Sequence, residues 1–234
     1  MKQKYIIANW KMNASREFIS YYSISNKLIS SEKYKIIIAP PFSYLSHTRR
    51  SFDASISIAS QDISHEKNGP HTGQVSAIML KDLACEYAII GHNETREYTI
   101  STKEILQNKI QRMMEQDLKV IYCIGEKDKS DKNNAIINQL NEISFDGIKE
   151  DNFIIAYEPI WAIGTNKTPS IEEISNTINF IKDYLSVQKN VSKISIIYGG
   201  SVNETNAKNI LDVTDGVIIG NKSLEMNFIN NIIK

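Results

Sequence analysis

The feature that most constrains the fold is a series of eight short apolar segments rich in β-branched residues. They are YIIAN ending at Asn9, KIIIAP at Pro40, SISIAS at Ser60, EYAII at Ile90, KVIYCI at Ile124, FIIAY at Tyr157, KISIIY at Tyr198 and GVIIG at Gly220. Most run continuously apolar instead of alternating with polar residues, the pattern of strands buried on both faces in a parallel sheet. The stretches between them carry helical spacing. In residues 170–186, Ile174, Ile178, Ile181 and Leu185 fall on one helical face. Ser170 with Glu173 predicts a capping box there, just after Pro169, and Ser101 with Glu104 predicts a second one ahead of Leu106, Ile110 and Met113. The segments at 75–82 and 203–211 are short. Strand and helix in strict alternation imply right-handed βαβ units. Eight of them in 234 residues predict a closed (β/α)8 barrel of the α/β class, a single domain over residues 1–234, in preference to an open doubly wound sheet. No GxGxxG follows the first strand, which removes the main signature of a dinucleotide-binding sheet.

Charge and cysteine usage narrow the function classes. Lys plus Arg and Asp plus Glu both number 27, so the net charge is zero. A basic excess of the kind used on nucleic acid or membrane surfaces is missing, and neither partner is expected. Cys85 and Cys123 each lie within or beside an apolar run and form neither a disulfide framework nor a metal-binding spacing. The first residues contain an apolar run too short for a secretory signal, and no window approaches a membrane span. A cytoplasmic enzyme or binding protein is the expectation.

In a (β/α)8 barrel the active face is built from the carboxyl ends of the strands. Those ends carry Asn9-Trp10-Lys11, Gly91-His92-Asn93-Glu94, Cys123-Ile124-Gly125-Glu126, Glu158-Pro159, Tyr198-Gly199-Gly200-Ser201 and Gly220-Asn221-Lys222. The two Gly-bearing turns after strands seven and eight suit a phosphate, because Gly lets backbone N–H groups approach an anion. Glu158 stands where a buried strand meets a polar, Gly-containing loop, a setting for a tuned general base and equally for a strand-end ion pair. Lys11 reads either as a solvent-facing lysine or as a cation for a phosphate and a developing oxyanion, and His92 either as a bonded core histidine or as a catalytic group. Glu94 and Glu126 read as partners for lysines at the mouth, and Cys123 as a side chain packed beside Glu158. The polar connection over residues 63–74 is either a solvent loop or an arm that docks on a partner. With neither a metal cluster nor a cofactor motif, the set suits proton abstraction beside a carbonyl on a small phosphorylated substrate.

Six motifs together resemble the triosephosphate isomerase family: NWKMN at 9–13, IIGHNETR at 89–96, YCIGE at 122–126, AYEPIWAIGTNKT at 156–168, YGGSV at 198–202 and DGVIIGNKSL at 215–224. They stand in the family's order and span nearly the whole chain. The resemblance implies a TIM barrel that interconverts dihydroxyacetone phosphate and glyceraldehyde 3-phosphate without cofactor or metal, in glycolysis and gluconeogenesis. It implies Glu158 as base, neutral His92 as electrophile, Lys11 as electrostatic stabiliser and Asn9 beside the substrate, with Glu94 in support. It assigns Gly164, Ser201, Gly220 and Asn221 to the phosphate, residues 159–168 to a closing lid, and the chain to a homodimer whose arm around HTGQ reaches the partner.

The chain departs from the family pattern at several places. Asn221 stands for a second Gly and Lys222 for a small residue; Asn tolerates left-handed backbone angles and keeps its N–H. Asn166 replaces the second Gly of the lid, which implies a stiffer hinge. Gln74 and Thr95 stand where a carboxylate and a guanidinium are usual, so both halves of a charged pair are gone and neither is left buried alone. Asn93 replaces a Ser. The chain is short for the family, which implies trimmed helices, the second and seventh above all.

Overall fold

The computed structural model describes residues 3–165 and 167–234. The expectation of a stiffer hinge at Asn166 therefore lies outside the described residues. In chain order the strands and helices are β1 (Lys4–Asn9), α1 (Arg16–Asn26), β2 (Tyr34–Ala39), α2 (Leu45–Ser51), β3 (Ser57–Ser60), α3 (Ala77–Asp82), β4 (Tyr87–Ile90), α4 (Asn93–Tyr98), α5 (Lys103–Glu115), β5 (Lys119–Ile124), α6 (Lys132–Leu140), β6 (Phe153–Tyr157), α7 (Ile171–Lys189), β7 (Ser195–Gly199), α8 (Ala207–Val213), β8 (Gly216–Ile219) and α9 (Phe228–Ile233). All eight strands pair in sequence order, every pair parallel, and β8 returns to β1 to close a barrel. The architecture is the (β/α)8 barrel that the eight apolar runs predict.

The continuous apolar character of the strands now has its cause. Alternate residues serve two cores. Ile7, Ile37, Ile89, Ile121, Ile154, Ile197 and Ile218 fill the barrel interior, together with the small side chains Ala39, Ala59, Ala156 and Cys123. Their neighbours, among them Ile6, Ile36, Ile90, Ile155 and Ile196, pack outward with buried helix residues such as Ile19, Leu106, Ile110, Ile178 and Ile181. A strand with one solvent face would have been polar at every second position.

Local signals are mostly obeyed. The Ser170–Glu173 capping box forms in both directions at the start of α7. The second box does not form as expected. The cap of α5 is Thr102, whose hydroxyl accepts the Ile105 N–H at 3.2 Å. The cap lies one residue further on because Ser101 still belongs to the extended connection, where its hydroxyl meets that of Thr99. Helices α2 and α8, which follow β2 and β7, have seven residues each. No described helix is long and apolar enough to cross a membrane.

The connection after β3 is internally bonded and tied down at its root. Ser64 donates its N–H to the Val75 carbonyl and its hydroxyl to Gln74. At the root, Lys109 of α5 meets both oxygens of Asp62 at 2.7 and 2.8 Å with its own side chain 7% exposed. A cation that dry depends on its partner, and breaking such a pair costs more than replacing it whole. We expect Asp62→Ala to lower unfolding stability by about 3 kcal/mol, and Lys109→Met in the same chain to restore most of the loss. Denaturant unfolding of the variants at one protein concentration checks this; a double variant no more stable than Asp62→Ala would contradict it.

Candidate active site

Strand β1 ends on Asn9 and leads into a tightly held turn. The ring of Trp10 is fully buried and packs edge-on against Phe18 and Tyr22, both 5.4 Å away between centroids. This anchors the strand end. Asn9 Oδ1 accepts the Lys11 N–H at 3.1 Å. Lys11 itself has φ 52°, a left-handed conformation that a non-Gly residue holds only when its surroundings impose it. Gln61, directly after β3, imposes part of it by donating from Nε2 to the Lys11 carbonyl at 2.7 Å and to the Ala39 carbonyl at 2.9 Å. Lys11 Nζ meets Glu94 Oε1 at 2.6 Å, so Glu94 is the lysine partner that the sequence suggested.

His92 is buried and caps α4: its Nδ1 accepts the Glu94 N–H at 3.2 Å. Its Nε2 lies 3.4 Å from Glu158 Oε2. Burial pushes this imidazole down, while the Glu158 carboxylate, and then Glu94, push it up by a larger amount if the ring is free to take a second proton. The contact at Nδ1 opposes that second proton. A protonated Nδ1 would face the Glu94 N–H donor and lose its bond, at a helix start that disfavours positive charge. The form that satisfies both contacts is the neutral imidazole with its hydrogen on Nε2.

Glu158 follows β6 and is 7% exposed. Its N–H donates to the Ile124 carbonyl at 2.7 Å. Two glycines border the residue, Gly125 against its backbone carbonyl and Gly199 against its side chain. A Cβ on Gly125 would lie 1.9 Å from the Glu158 carbonyl oxygen, and a Cβ on Gly199 would lie 2.5 Å from Glu158 Cγ. No other residue type fits at either place. Burial pushes the carboxyl up, but His92, Cys123 and Lys11 outweigh it and hold the group below the usual glutamate range. The neighbouring Cys123 thiol is pushed well up, first by burial and then by Glu158, and stays protonated. Glu158 Oε1 has no hydrogen-bond partner among the described residues. An ionised carboxylate with one dry, unpaired oxygen beside an imidazole that can donate from Nε2 suits a general base.

Glu126 takes a different position from the one expected. No lysine pairs with its carboxylate among the described residues. It is 1% exposed, and its Oε1 accepts from the Tyr157 hydroxyl at 3.1 Å and from Trp161 Nε1 at 2.8 Å. It sits too deep, behind the end of β5, for a mobile ammonium to follow. Lys129 instead lies 3.9 Å from the Trp161 ring centroid, so the indole is held from two sides. The loop after β6 is further tied to the loop after β7. Ser201 donates from Oγ to the Ala162 carbonyl, and Thr168 from Oγ1 to the Ser201 carbonyl, each at 2.9 Å.

One cavity of about 280 Å³ is lined by Asn9, Lys11, His92, Glu158, Gly164, Ser201, Gly220 and Asn221 together. These eight residues reach the same space although they come from five different strand ends and the loop after β6, whereas Glu94, Cys123 and Glu126 do not line it. Among the described residues, no acceptor meets the backbone N–H of Gly164, Ser201 or Asn221. Free N–H groups facing a cavity suit an anion. The sequence reading passed over Gln61 and gave no task to Gly125 or Gly199 at the base. The strand-end rule applied to β3 would have found Gln61. A base, a neutral donor, a cation and an anion cradle around one small cavity can move a proton between carbons next to a carbonyl.

Comparison with known proteins agrees with this chemistry. A sequence profile of the family described as Triosephosphate isomerase matches residues 4–234. Proteins named triosephosphate isomerase resemble the chain along nearly its whole length. The one from Alkaliphilus oremlandii is 34% identical over 238 residues, covering 96% of each chain. That from Dictyoglomus thermophilum is 36% identical over 251 residues, covering 100% of both. That from Dehalococcoides mccartyi is 37% identical over 237 residues, covering 96% of this chain and 93% of the relative. Full-length similarity at this level, on a closed eight-stranded barrel with this cavity, places the chain in the triosephosphate isomerase family.

Proposed function

We propose that this chain interconverts dihydroxyacetone phosphate and D-glyceraldehyde 3-phosphate by proton transfer through an enediolate, serving glycolysis and gluconeogenesis. Glu158 takes the proton from the carbon beside the carbonyl. The electron pair of that C–H bond moves to the carbonyl oxygen, where His92 Nε2–H and the Lys11 ammonium stabilise the developing charge. The hydroxyl proton of the first carbon passes to the former carbonyl oxygen through His92 Nε2, and the proton on Glu158 returns to the neighbouring carbon, so that the new carbonyl forms on the carbon that was deprotonated. Asn9 fixes the Lys11 backbone at the substrate, and Gly164, Ser201, Gly220 and Asn221 hold the phosphate. The observation that carries this reading is the Glu158 carboxylate, which is held ionised, buried and unpaired on Oε1 at the wall of the cavity that all these residues share. The residue roles, and residues 159–168 as a lid over the site, are part of the proposal.

We place the enzyme in the cytoplasm, which suits its two unpaired buried thiols, Cys85 and Cys123. We also infer a homodimer. Met12, Tyr98 and Ile100 are 94%, 84% and 78% exposed. They follow β1 and β4, while the arm around residues 63–74 follows β3, which lies between them in the barrel order. Phe42 after β2 and Met79 on α3 are exposed as well. Exposed apolar side chains on neighbouring strand-end loops suit burial against a second copy of the chain, which would cover them symmetrically. Gln74 is engaged inside the arm by Ser64, which fits the loss of a charged pair across the interface.

Three outcomes follow. Glu158→Asp withdraws the base by one methylene, about 1 Å, and should cut turnover about 100-fold in a coupled assay while the fold persists; unchanged turnover removes Glu158 from the role. The base acts when ionised, so activity is present above its pKa and lost as pH falls through it. Because Glu158 is held down, the acid limb of kcat/KM, corrected for the substrate phosphate, should fall below the ordinary glutamate value of 4.5. A limb above the ordinary imidazole value of 6.5 would show that His92 takes a second proton in the free enzyme. Sedimentation at micromolar concentration should give a dimer, and a single monomer boundary would refute it.

A further inference from the structure

The cavity has a second cation that the proposed mechanism does not use. Lys222 and Glu225 both line it, on the turn that follows β8, and Lys222 Nζ meets Glu225 Oε1 at 2.8 Å. The pair sits next to Gly220 and Asn221. It is half-exposed, with side chains 52% and 56% accessible.

The charge balance of the cavity gives this pair a task. Lys11 and Lys222 are the cations among the described lining residues, and Glu158 and Glu225 are the matching anions. Glu94 adds a further negative charge, since it holds Lys11 Nζ at 2.6 Å. A phosphate monoester carrying close to two negative charges must therefore enter a lining with no net positive charge of its own. Lys11 is committed to Glu94 and held near the reacting end by Asn9 and Gln61. Lys222 has a flexible four-carbon stem and a solvent-screened partner, so its contact to Glu225 is weak and exchangeable.

We propose that Lys222 is a substrate-binding residue: it leaves Glu225 for the phosphate of the incoming substrate, and Glu225 sets anion affinity by competing for it. The inference rests on the isomerase reading above and adds to it a residue and a control. It explains how a chain with Asn221 and Lys222, in place of Gly and a small residue, holds the phosphate. The lost glycine is offset by a charge at the rim.

The test measures KM for glyceraldehyde 3-phosphate, and the inhibition constant of inorganic phosphate, for the wild type, Lys222→Met, Lys222→Arg and Glu225→Gln across a range of ionic strength. Lys222→Met should raise both constants by about threefold or more, the loss appearing in KM more than in kcat, with a flatter salt dependence. Lys222→Arg should retain most of the affinity. Glu225→Gln should act in the opposite direction and tighten phosphate by about twofold or more, because the lysine is released. A purely structural pair would move both variants the same way or neither, and either result overturns the proposal. A folded wild type without turnover would instead sink the isomerase reading, so the two failures are distinct.

Discussion

The seam between β1 and β8 is the constraint on which the rest of the molecule depends. Tyr5 pairs with Gly216, Ile6 with Val217, Ile7 with Ile218 and Ala8 with Ile219, and the Tyr5 N–H donates to the Asp215 carbonyl at 3.0 Å. A Cβ on Gly216 would sit 2.2 Å from the Tyr5 carbonyl oxygen, so the seam closes only because that position carries no side chain. Without closure β1 and β8 would be opposite edges of an open sheet, and Lys11 and Gly220 would lie far apart. With it, a Cβ on Gly220 would touch Lys11 Cε at 3.3 Å. Closure also completes the burial of both strand faces, which explains why the strands are apolar at successive positions.

The chemistry comes from a carboxylate that the fold desolvates but does not fully pair. Removing an ionised group from water is expensive, and proteins usually avoid the cost by neutralising the group or by bonding it on all sides. Here His92 and Lys11 supply enough opposing influence to keep Glu158 ionised, and Oε1 is left without a partner. Its position is fixed from the backbone outward: the Glu158 N–H is bonded to Ile124, and Gly125 and Gly199 border the residue. The proposed base is therefore located by strand geometry, and side-chain packing has little freedom to move it. This matters for a reaction in which about 1 Å of misplacement costs orders of magnitude.

How much of this was legible in the sequence depended on whether a signal was local. Strand positions were legible because each needs only its own apolar run, and the barrel followed from counting them. Glu158, His92 and Lys11 were legible as strand-end residues of unusual type, with the family resemblance dividing roles among them. The Ser170 cap was legible; Ser101 was not a cap, because Thr102 competed one residue later and the approach of the chain decided between them. The partner of Glu126 was illegible for a physical reason. Tyr157 and Trp161 belong to β6 and the loop after it, and only the β5–β6 register brings them to that carboxylate. The same holds for Gly125 and Gly199. Each looks like a turn residue, and the reason each must be glycine lies across the barrel mouth.

The groups at the cavity divide into those borne by strand ends and those borne by loops. Asn9, Lys11, His92 and Glu158 lie at strand ends or within two residues of them, and each takes part in at least one hydrogen bond with a backbone group. Lys11 even holds left-handed angles, a conformation whose cost of roughly 1–3 kcal/mol must be met by the contacts around it. The anion cradle, by contrast, is shared between the loops after β6, β7 and β8, which are joined by single side-chain bonds such as Ser201 to Ala162 and Thr168 to Ser201. The root of the first of these loops is held from outside the cavity by Glu126 and Lys129 on Trp161. In the proposed mechanism a bound phosphate would therefore be held by loops tied to one another, over reacting groups fixed at strand ends. Precision is placed where the proton moves, and compliance where substrate must enter and leave.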